Sequence, residues 1–198
     1  MTDAATRRRA GRRTFLMLAL LFLVPFAAAA WLYYFSAWRP AVAPHGELID
    51  PPRQLPAIAL SLPDGGMASP DVLRGSWSLV YLAGRSCAES CTKALAELAR
   101  VRLALAKDAT RVQRVLLHAG ECCSPGFPGP GDEDLLVLGA TGAEGEAFLA
   151  LFPPAPYGMD SIYVVDPLGN LMMRHAAAGG AQGLLKDLER LLRLSSIG

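Results

Sequence analysis

The sequence predicts an α/β domain with a mixed β-sheet and flanking helices, preceded by one transmembrane helix. Two observations lead to this fold class: an uncharged apolar stretch lies near the N-terminus, and short apolar segments alternate with amphipathic ones after it. A chain of 198 residues has room for one domain of ordinary size beside such a helix. We expect a basic N-terminus at 1–14, a transmembrane helix at 15–38, a tether at 39–56 and the domain at 57–198.

The apolar stretch at residues 15–35 carries no charge and is long enough to cross a bilayer. A group of arginines precedes it, and basic residues favour the cytoplasmic side. These are Arg7, Arg8, Arg9, Arg12 and Arg13. The sequence therefore predicts a single-pass protein of the bacterial inner membrane, with its C-terminal domain in the periplasm. A cleaved signal peptide is the alternative, because residues 27–30 are all alanine. Arg12 and Arg13 also fit part of a twin-arginine export signal.

The segment between the apolar stretch and the domain is rich in proline and poor in strongly apolar positions. That composition predicts an extended tether at residues 40–56. Acidic residues outnumber basic ones after Pro40, and no basic run occurs there. The membrane is therefore an expected partner, whereas nucleic acid is not.

The remaining chain alternates between strand and helix patterns. The apolar run at 77–82 predicts a buried central strand, and the Ala-, Leu- and charge-rich segment at 89–107 predicts a helix with a wide apolar face. Further strands are expected at 57–62, 111–118, 135–138, 162–165 and 171–175, and further helices at 144–152 and 182–194. The turn at 166–169 makes the last two strands a hairpin. This order implies a mixed sheet with helices on both faces, which is the thioredoxin-like arrangement.

Two cysteines, Cys87 and Cys91, lie where the predicted central strand meets the first helix of the domain. The N-terminus of a helix stabilises a thiolate, which is both a nucleophile and a soft-metal ligand. Residues four apart on a helix share a face, so two sulfurs can form a disulfide or hold Cu(I). An inert buried pair or a permanent structural disulfide is the alternative.

Taken together with the strand and the helix predicted around these cysteines, residues 55–191 resemble the Sco/SenC family. The resemblance rests on the spacing from Cys87 to Cys91 and on the segments at 77–82, 107–117 and 163–169, with a similar juxtamembrane segment at 46–53. It implies a membrane-anchored, thioredoxin-like protein that serves copper-site assembly in cytochrome c oxidase. It further implies copper as the metal, Cys87 and Cys91 as its ligands, and respiratory oxidase subunits or other assembly factors as partners.

The chain departs from that family at two places. Thr92 stands where the family usually has proline after its second cysteine, and residues 157–160 contain no histidine where the family has its copper ligand. Two residues could replace the missing histidine as a copper ligand: His118, at the end of a neighbouring strand, and Met159, through its thioether. The alternative is a plain surface role for His118 and a packing role for Met159. His175 is assigned no role.

Cys122 and Cys123 are adjacent, and a bridge between neighbours requires a strained ring. We expect free thiols there, or partners in exchange with Cys87 or Cys91. The Gly-rich segment at 139–145 resembles a dinucleotide-binding turn, but too little chain follows it to complete such a domain.

The leading functional hypothesis is an accessory factor for oxidase assembly that acts by thiol–disulfide exchange or Cu(I) handling through Cys87 and Cys91. In the exchange mechanism Cys87 attacks and Cys91 resolves. A non-catalytic scaffolding membrane protein and a general periplasmic thiol–disulfide oxidoreductase are the alternatives.

Overall fold

The computed structural model describes residues 3–35, 43–83, 87–120, 122, 127, 132–154, 161–177 and 180–197. The chain divides into two compact units, residues 1–43 and 44–198. The first contains a single helix, α1 (Asp3–Phe35). Within α1, Phe15–Tyr34 is long and apolar enough to cross a membrane, with a mean hydropathy of 2.4. The helix predicted at 15–38 thus begins earlier, because alanine and arginine, both good helix formers, fill the preceding turns.

The second unit is built on one six-stranded mixed sheet with the order β1-β6-β5-β2-β3-β4. Its strands are β1 (Glu47–Gln54), β2 (Trp77–Ala83), β3 (Val112–Ala119), β4 (Leu135–Ala140), β5 (Ser161–Val165) and β6 (Asn170–Ala176). Strands β2, β3 and β4 pair in parallel, whereas the β1–β6, β6–β5 and β5–β2 pairs are antiparallel. The predicted mixed sheet, the central strand and the C-terminal hairpin are therefore confirmed.

Helices cover both faces of the sheet. The helices of this unit are α2 (Glu89–Ala104), a 3-10 helix (Ala106–Arg111), α3 (Gly142–Leu149) and α4 (Ala181–Leu194). Leu98 of α2 and Leu188 of α4 pack in one core with Leu79, while Phe148 of α3 packs in the other with Val80. Successive side chains of a strand point to opposite faces, so β2 needs apolar residues throughout, and all seven of its residues are buried.

The predicted tether is wrong over part of its length, because residues 47–54 form β1 and pair with β6. The compact unit accordingly begins at Pro44 rather than at residue 57. Only Ile49 of β1 is even half-buried, so the strand lacks the alternating apolar pattern of a sheet interior. Pro51 and Pro52, which indicated an extended linker, are compatible with an edge strand because its outer side needs no amide donors.

The strand predicted at 57–62 is also wrong. Ser61 alone pairs with the sheet: its amide donates to the Gly139 carbonyl at 3.0 Å and its carbonyl accepts from the Gly139 amide at 2.8 Å. Leu60 is buried in the core that contains Phe148. The alternation of apolar residues at 57–62 therefore reflects the burial of single side chains beside β4, and no strand ladder forms there.

Candidate functional site

The candidate site lies at the sheet edge where the parallel strands β2 and β3 end. Ala83, the last residue of β2, is paired with His118 of β3. Cys87 follows Ala83 by four residues, and α2 begins two residues later at Glu89. Because the carboxyl ends of parallel strands meet at one edge, this is where α/β sheets commonly hold ligands or reactive groups. The junction predicted for Cys87 and Cys91 is therefore present.

Cys87 and Cys91 form a disulfide, with their Cα atoms 5.1 Å apart. This separation lies within the range expected for two cysteines that share one site. The two sulfur-bearing residues differ in exposure: Cys91 is only 2% exposed and belongs to the core, whereas Cys87 is half-buried and packs against that core. In this oxidised pair, Cys87 is the residue that a second molecule can reach.

The first turn of α2 donates no capping hydrogen bond to the side chain of its N-cap residue. The N-cap residue is Ala88, whose side chain has no atom that accepts a hydrogen bond. The amide of Thr92 donates to the Ala88 carbonyl at 3.1 Å, so the helix runs unbroken through the position at which the family usually has proline. Glu89 is ion-paired with Lys93 at 2.7 Å, which offsets its negative charge near the helix start. The positive end of the helix dipole therefore lies beside the disulfide.

His118 is held by its own strand rather than lying free on the surface. Its Nδ1 atom lies 2.8 Å from the Gly120 carbonyl, and the ring passes so close to Gly139 that a Cβ there would be 3.0 Å from Cε1. Burial lowers the pKa of His118, and the hydrogen bond to Gly120 opposes that shift. At neutral pH the imidazole is consequently neutral.

A third metal ligand beside the cysteines is not found in the described part of the chain. Within it, no three His, Cys, Asp or Glu side chains form a group that could hold a metal ion. Met159 and the rest of residues 157–160, where the Sco/SenC resemblance implies a copper-binding histidine, lie outside the described residues. Reduced Cys87 and Cys91 would by themselves supply two thiolates, a donor set that fits two-coordinate Cu(I).

The expectation of a free thiol is wrong for Cys122, which is disulfide-bonded. Cys122 is half-buried against the same core as Cys87. Free thiols were expected because a ring between adjacent cysteines is strained, and that strain does not keep Cys122 reduced. Cys123 lies outside the described residues.

A second group of polar side chains, which the sequence analysis missed, surrounds Asp187 of α4. Its carboxylate accepts from the amides of His45 and Gly46 at 2.8 and 2.9 Å and lies 3.3 Å from the His45 Nδ1 atom. The Nε2 atom of His175 is 3.5 Å from the same carboxylate and 3.1 Å from the sulfur of Met173. Asp187, His45 and His175 come from separate segments of the chain, so no local sequence motif predicts this cluster.

Comparison with known proteins agrees with this architecture. The solution structure of apo Sco1 from Thermus thermophilus superposes with a TM-score of 0.54 at 16% identity, covering 77% of this chain and 99% of that one. Yeast Sco1 gives a TM-score of 0.54 at 17% identity, covering 72% of this chain and 99% of that one, and its copper-bound form gives the same score over 95% of that chain. These similarities show the shared thioredoxin-like fold.

Curated protein sequences contain no significant match to this chain. A family model, by contrast, matches residues 77–195, which is more than half of the sequence. That model is described as a transmembrane-like, thioredoxin-like, C-terminal domain, and the matched region runs from β2 to the residue after α4. One candidate membrane helix before a thioredoxin-like sheet fits this description and a single-pass anchor. The chain therefore belongs to the family of transmembrane-like, thioredoxin-like C-terminal domains.

Proposed function

We propose that this protein is a membrane-anchored thiol–disulfide exchange factor that acts outside the cytoplasm on proteins of the respiratory oxidase assembly pathway. The observation that carries the proposal is the Cys87–Cys91 disulfide at the start of α2, with one cysteine buried and the other accessible. The oxidase connection comes from the fold shared with Sco1 structures and from the Sco/SenC resemblance of the sequence. The arginines before the apolar stretch support the outward orientation.

Cys87 is the attacking residue in this mechanism. A nucleophile must meet an incoming disulfide, and Cys87 is half-buried whereas Cys91 is enclosed by the core. Uncapped amides and the helix dipole at the start of α2 stabilise the thiolate that attack requires. Cys91, whose Cα lies 5.1 Å away, is close enough to reach the Cys87 sulfur once a mixed disulfide has formed.

The exchange between the reduced cysteine pair and a target disulfide proceeds in two steps. The Cys87 thiolate forms a bond to one sulfur of the target disulfide, and the other target sulfur leaves as a thiolate. The Cys91 thiolate attacks the Cys87 sulfur, closes the Cys87–Cys91 disulfide and releases the second target sulfur. Two electrons pass to the target, which takes up two protons, and this protein is left oxidised.

Copper enters this proposal as cargo of the reduced pair. Thiolates of Cys87 and Cys91 would hold Cu(I) in two-coordinate fashion, and the described residues add no third ligand. Cu(II), which prefers nitrogen or oxygen donors in tetragonal geometry, would be held poorly. Thiol exchange is accordingly the principal activity and Cu(I) carriage the secondary one.

Trapping of the mixed disulfide tests the exchange mechanism in the full chain. In a background without Cys122 and Cys123, Cys91→Ser should accumulate a mixed disulfide with a small disulfide probe such as oxidised glutathione. Cys87→Ser should accumulate at least tenfold less, because Cys91 is enclosed. Ser90→Ala is the matched control, since Ser90 is exposed beside the pair and should leave wild-type exchange unchanged.

Equal trapping by the two cysteine variants would contradict the assignment of Cys87 as nucleophile. Failure of the wild-type pair to cycle between dithiol and disulfide would instead favour the scaffolding alternative. A reporter that is active only outside the cytoplasm, fused after Gly198, should be active; an inactive but well-expressed fusion would overturn the orientation.

Metal binding separates copper carriage from thiol exchange. In the same background without Cys122 and Cys123, the reduced full chain should bind one Cu(I), and either Cys87→Ser or Cys91→Ser should abolish that binding. His118→Ala should leave it unchanged, because the His118 ring is engaged with the Gly120 carbonyl. A stable Cu(II) complex that depends on His118 would overturn the preference for thiol chemistry.

A further inference from the structure

The Asp187 cluster fastens the first residues of the second unit to its last helix. His45 and Gly46, which directly precede β1, donate both of their amides to the Asp187 carboxylate. The carboxylate is 8% exposed, and charge-assisted bonds from backbone amides are among the stronger hydrogen bonds in proteins. We call Asp187, His175 and His45 the clasp.

Gly46 also covers the ring of His175. A Cβ placed on Gly46 would lie 2.4 Å from Nε2 and 2.6 Å from Cε1 of His175, so only glycine permits this approach. His175 is 4% exposed as a result of this cover and of the packing around β6. When residues 45–46 leave α4, the imidazole must therefore become accessible to water.

Burial favours the neutral form of His175 in the closed clasp. Burial lowers the pKa of His175 and is the largest influence; Asp187 opposes it, and His45 adds to it. The β5 residue paired with His175 is Ile162, which carries no charge, and its own strand contributes the uncharged Met173. Within the described part of the chain, Asp187 on α4 and His45 before β1 are thus the titratable groups that act on it.

We propose that the clasp is an acid-sensitive latch, which holds residues 45–46 and the adjoining β1 strand on the domain at neutral pH and releases them when His175 takes up a proton. The inference does not depend on the proposed thiol chemistry. An open latch frees the outer edge of β6, because β1 is the strand that pairs there.

The direction of the pH effect follows from linkage. In the open state an exposed His175 has an ordinary pKa of about 6.5, whereas the closed state binds the proton more weakly. Opening is therefore favoured as pH falls through 6.5, and the closed form is fully favoured above it. Between pH 7.5 and 5.5 the ratio of open to closed forms should rise, and about tenfold is the upper limit, reached when the closed form binds no proton in this range.

Hydrogen exchange in the full chain, reconstituted in detergent or nanodiscs, measures this ratio. Protection of the amides at 45–54, corrected for the intrinsic pH dependence of exchange, should fall more than twofold and by at most about tenfold from pH 7.5 to 5.5. The amides of β2 serve as the internal reference and should keep their protection, because that strand is central and wholly buried.

Two substitutions distinguish the latch from general acid sensitivity. His175→Gln keeps a hydrogen-bond donor near Asp187 but cannot titrate, so the change in protection should shrink to less than about twofold. His118→Gln is the matched control: this half-buried histidine lies near the end of β3, outside the clasp, and the pH response of residues 45–54 should remain.

Retention of the pH response in His175→Gln, or its absence from the wild-type chain, would overturn the proposal. If His175→Gln fails to fold, an NMR titration of the His175 imidazole in the wild-type chain tests the proposal instead. Its titration midpoint should lie below 6.5, and a midpoint at or above that value would equally refute the latch.

Discussion

Strands β2 and β1 lie in the same sheet but are held there by different forces. All seven residues of β2 are buried, β3 pairs along its whole length and β5 along residues 78–82, and its side chains enter both cores. β1 pairs with β6 alone, through four residue pairs interrupted by a bulge, and its side chains are largely exposed. Burial of apolar surface therefore fixes β2, whereas β1 is held by its ladder with β6 and by polar contacts at its N-terminal end.

The largest expected effect comes from truncating a side chain of β2. Leu79 is fully buried between α2 and α4, so Leu79→Ala should lower the free energy of unfolding by about 3 kcal/mol, within a range of roughly 2–5. Urea unfolding measures the change. Leu103→Ala is the matched control, because Leu103 of α2 is 74% exposed and should cost less than about 0.5 kcal/mol. Equal losses of unfolding free energy in the two variants would contradict the conclusion that burial of apolar surface holds β2 in the sheet.

An intermediate effect is expected at the junction before β1. Asp187→Ala removes the acceptor for the His45 and Gly46 amides, which should cost about 1–3 kcal/mol. Hydrogen exchange should locate that loss in residues 45–54 rather than in β2. Asp71→Ala, which removes an exposed ion pair with Arg74, is the control and should leave β1 unaffected. Loss of protection throughout the sheet would mean that β1 and β2 unfold as one unit.

The smallest effect is expected in the β1–β6 ion pair. Glu47 pairs with Arg174, but its side chain is 64% exposed and Arg174 also donates to the Pro154 carbonyl at 2.6 Å. Glu47→Gln should thus cost less than about 1 kcal/mol, and high salt should reduce the difference further. Glu89→Gln, at an exposed ion pair on α2, is the comparison. A loss above 2 kcal/mol would show that this ion pair, and not the clasp, secures β1.

The predicted parts of the candidate site depend on patterns that are local in the chain. An apolar run, a helix that follows it and two cysteines at their junction suffice to place Cys87 and Cys91 at one site, since each relation spans only a few residues. His118 was placed beside that strand end for the same reason, although its bond to the Gly120 carbonyl was not foreseen. Cys122 was misjudged because the strain of a ring between adjacent cysteines was taken to exclude a disulfide.

Patterns along the sequence suffice to predict the candidate membrane helix, the central strands and the helical faces, because apolar periodicity and length reflect the solvent that each segment meets. That residues 47–54 belong to the sheet is visible only in the folded chain. Their strand is defined by its pairing with β6, because an exposed edge strand with two prolines carries no alternating apolar pattern. The tertiary structure also decided the surroundings of His175. A buried imidazole covered by Gly46 and facing Asp187 arises from three segments that meet only when the chain is folded, and no spacing along the sequence encodes that meeting.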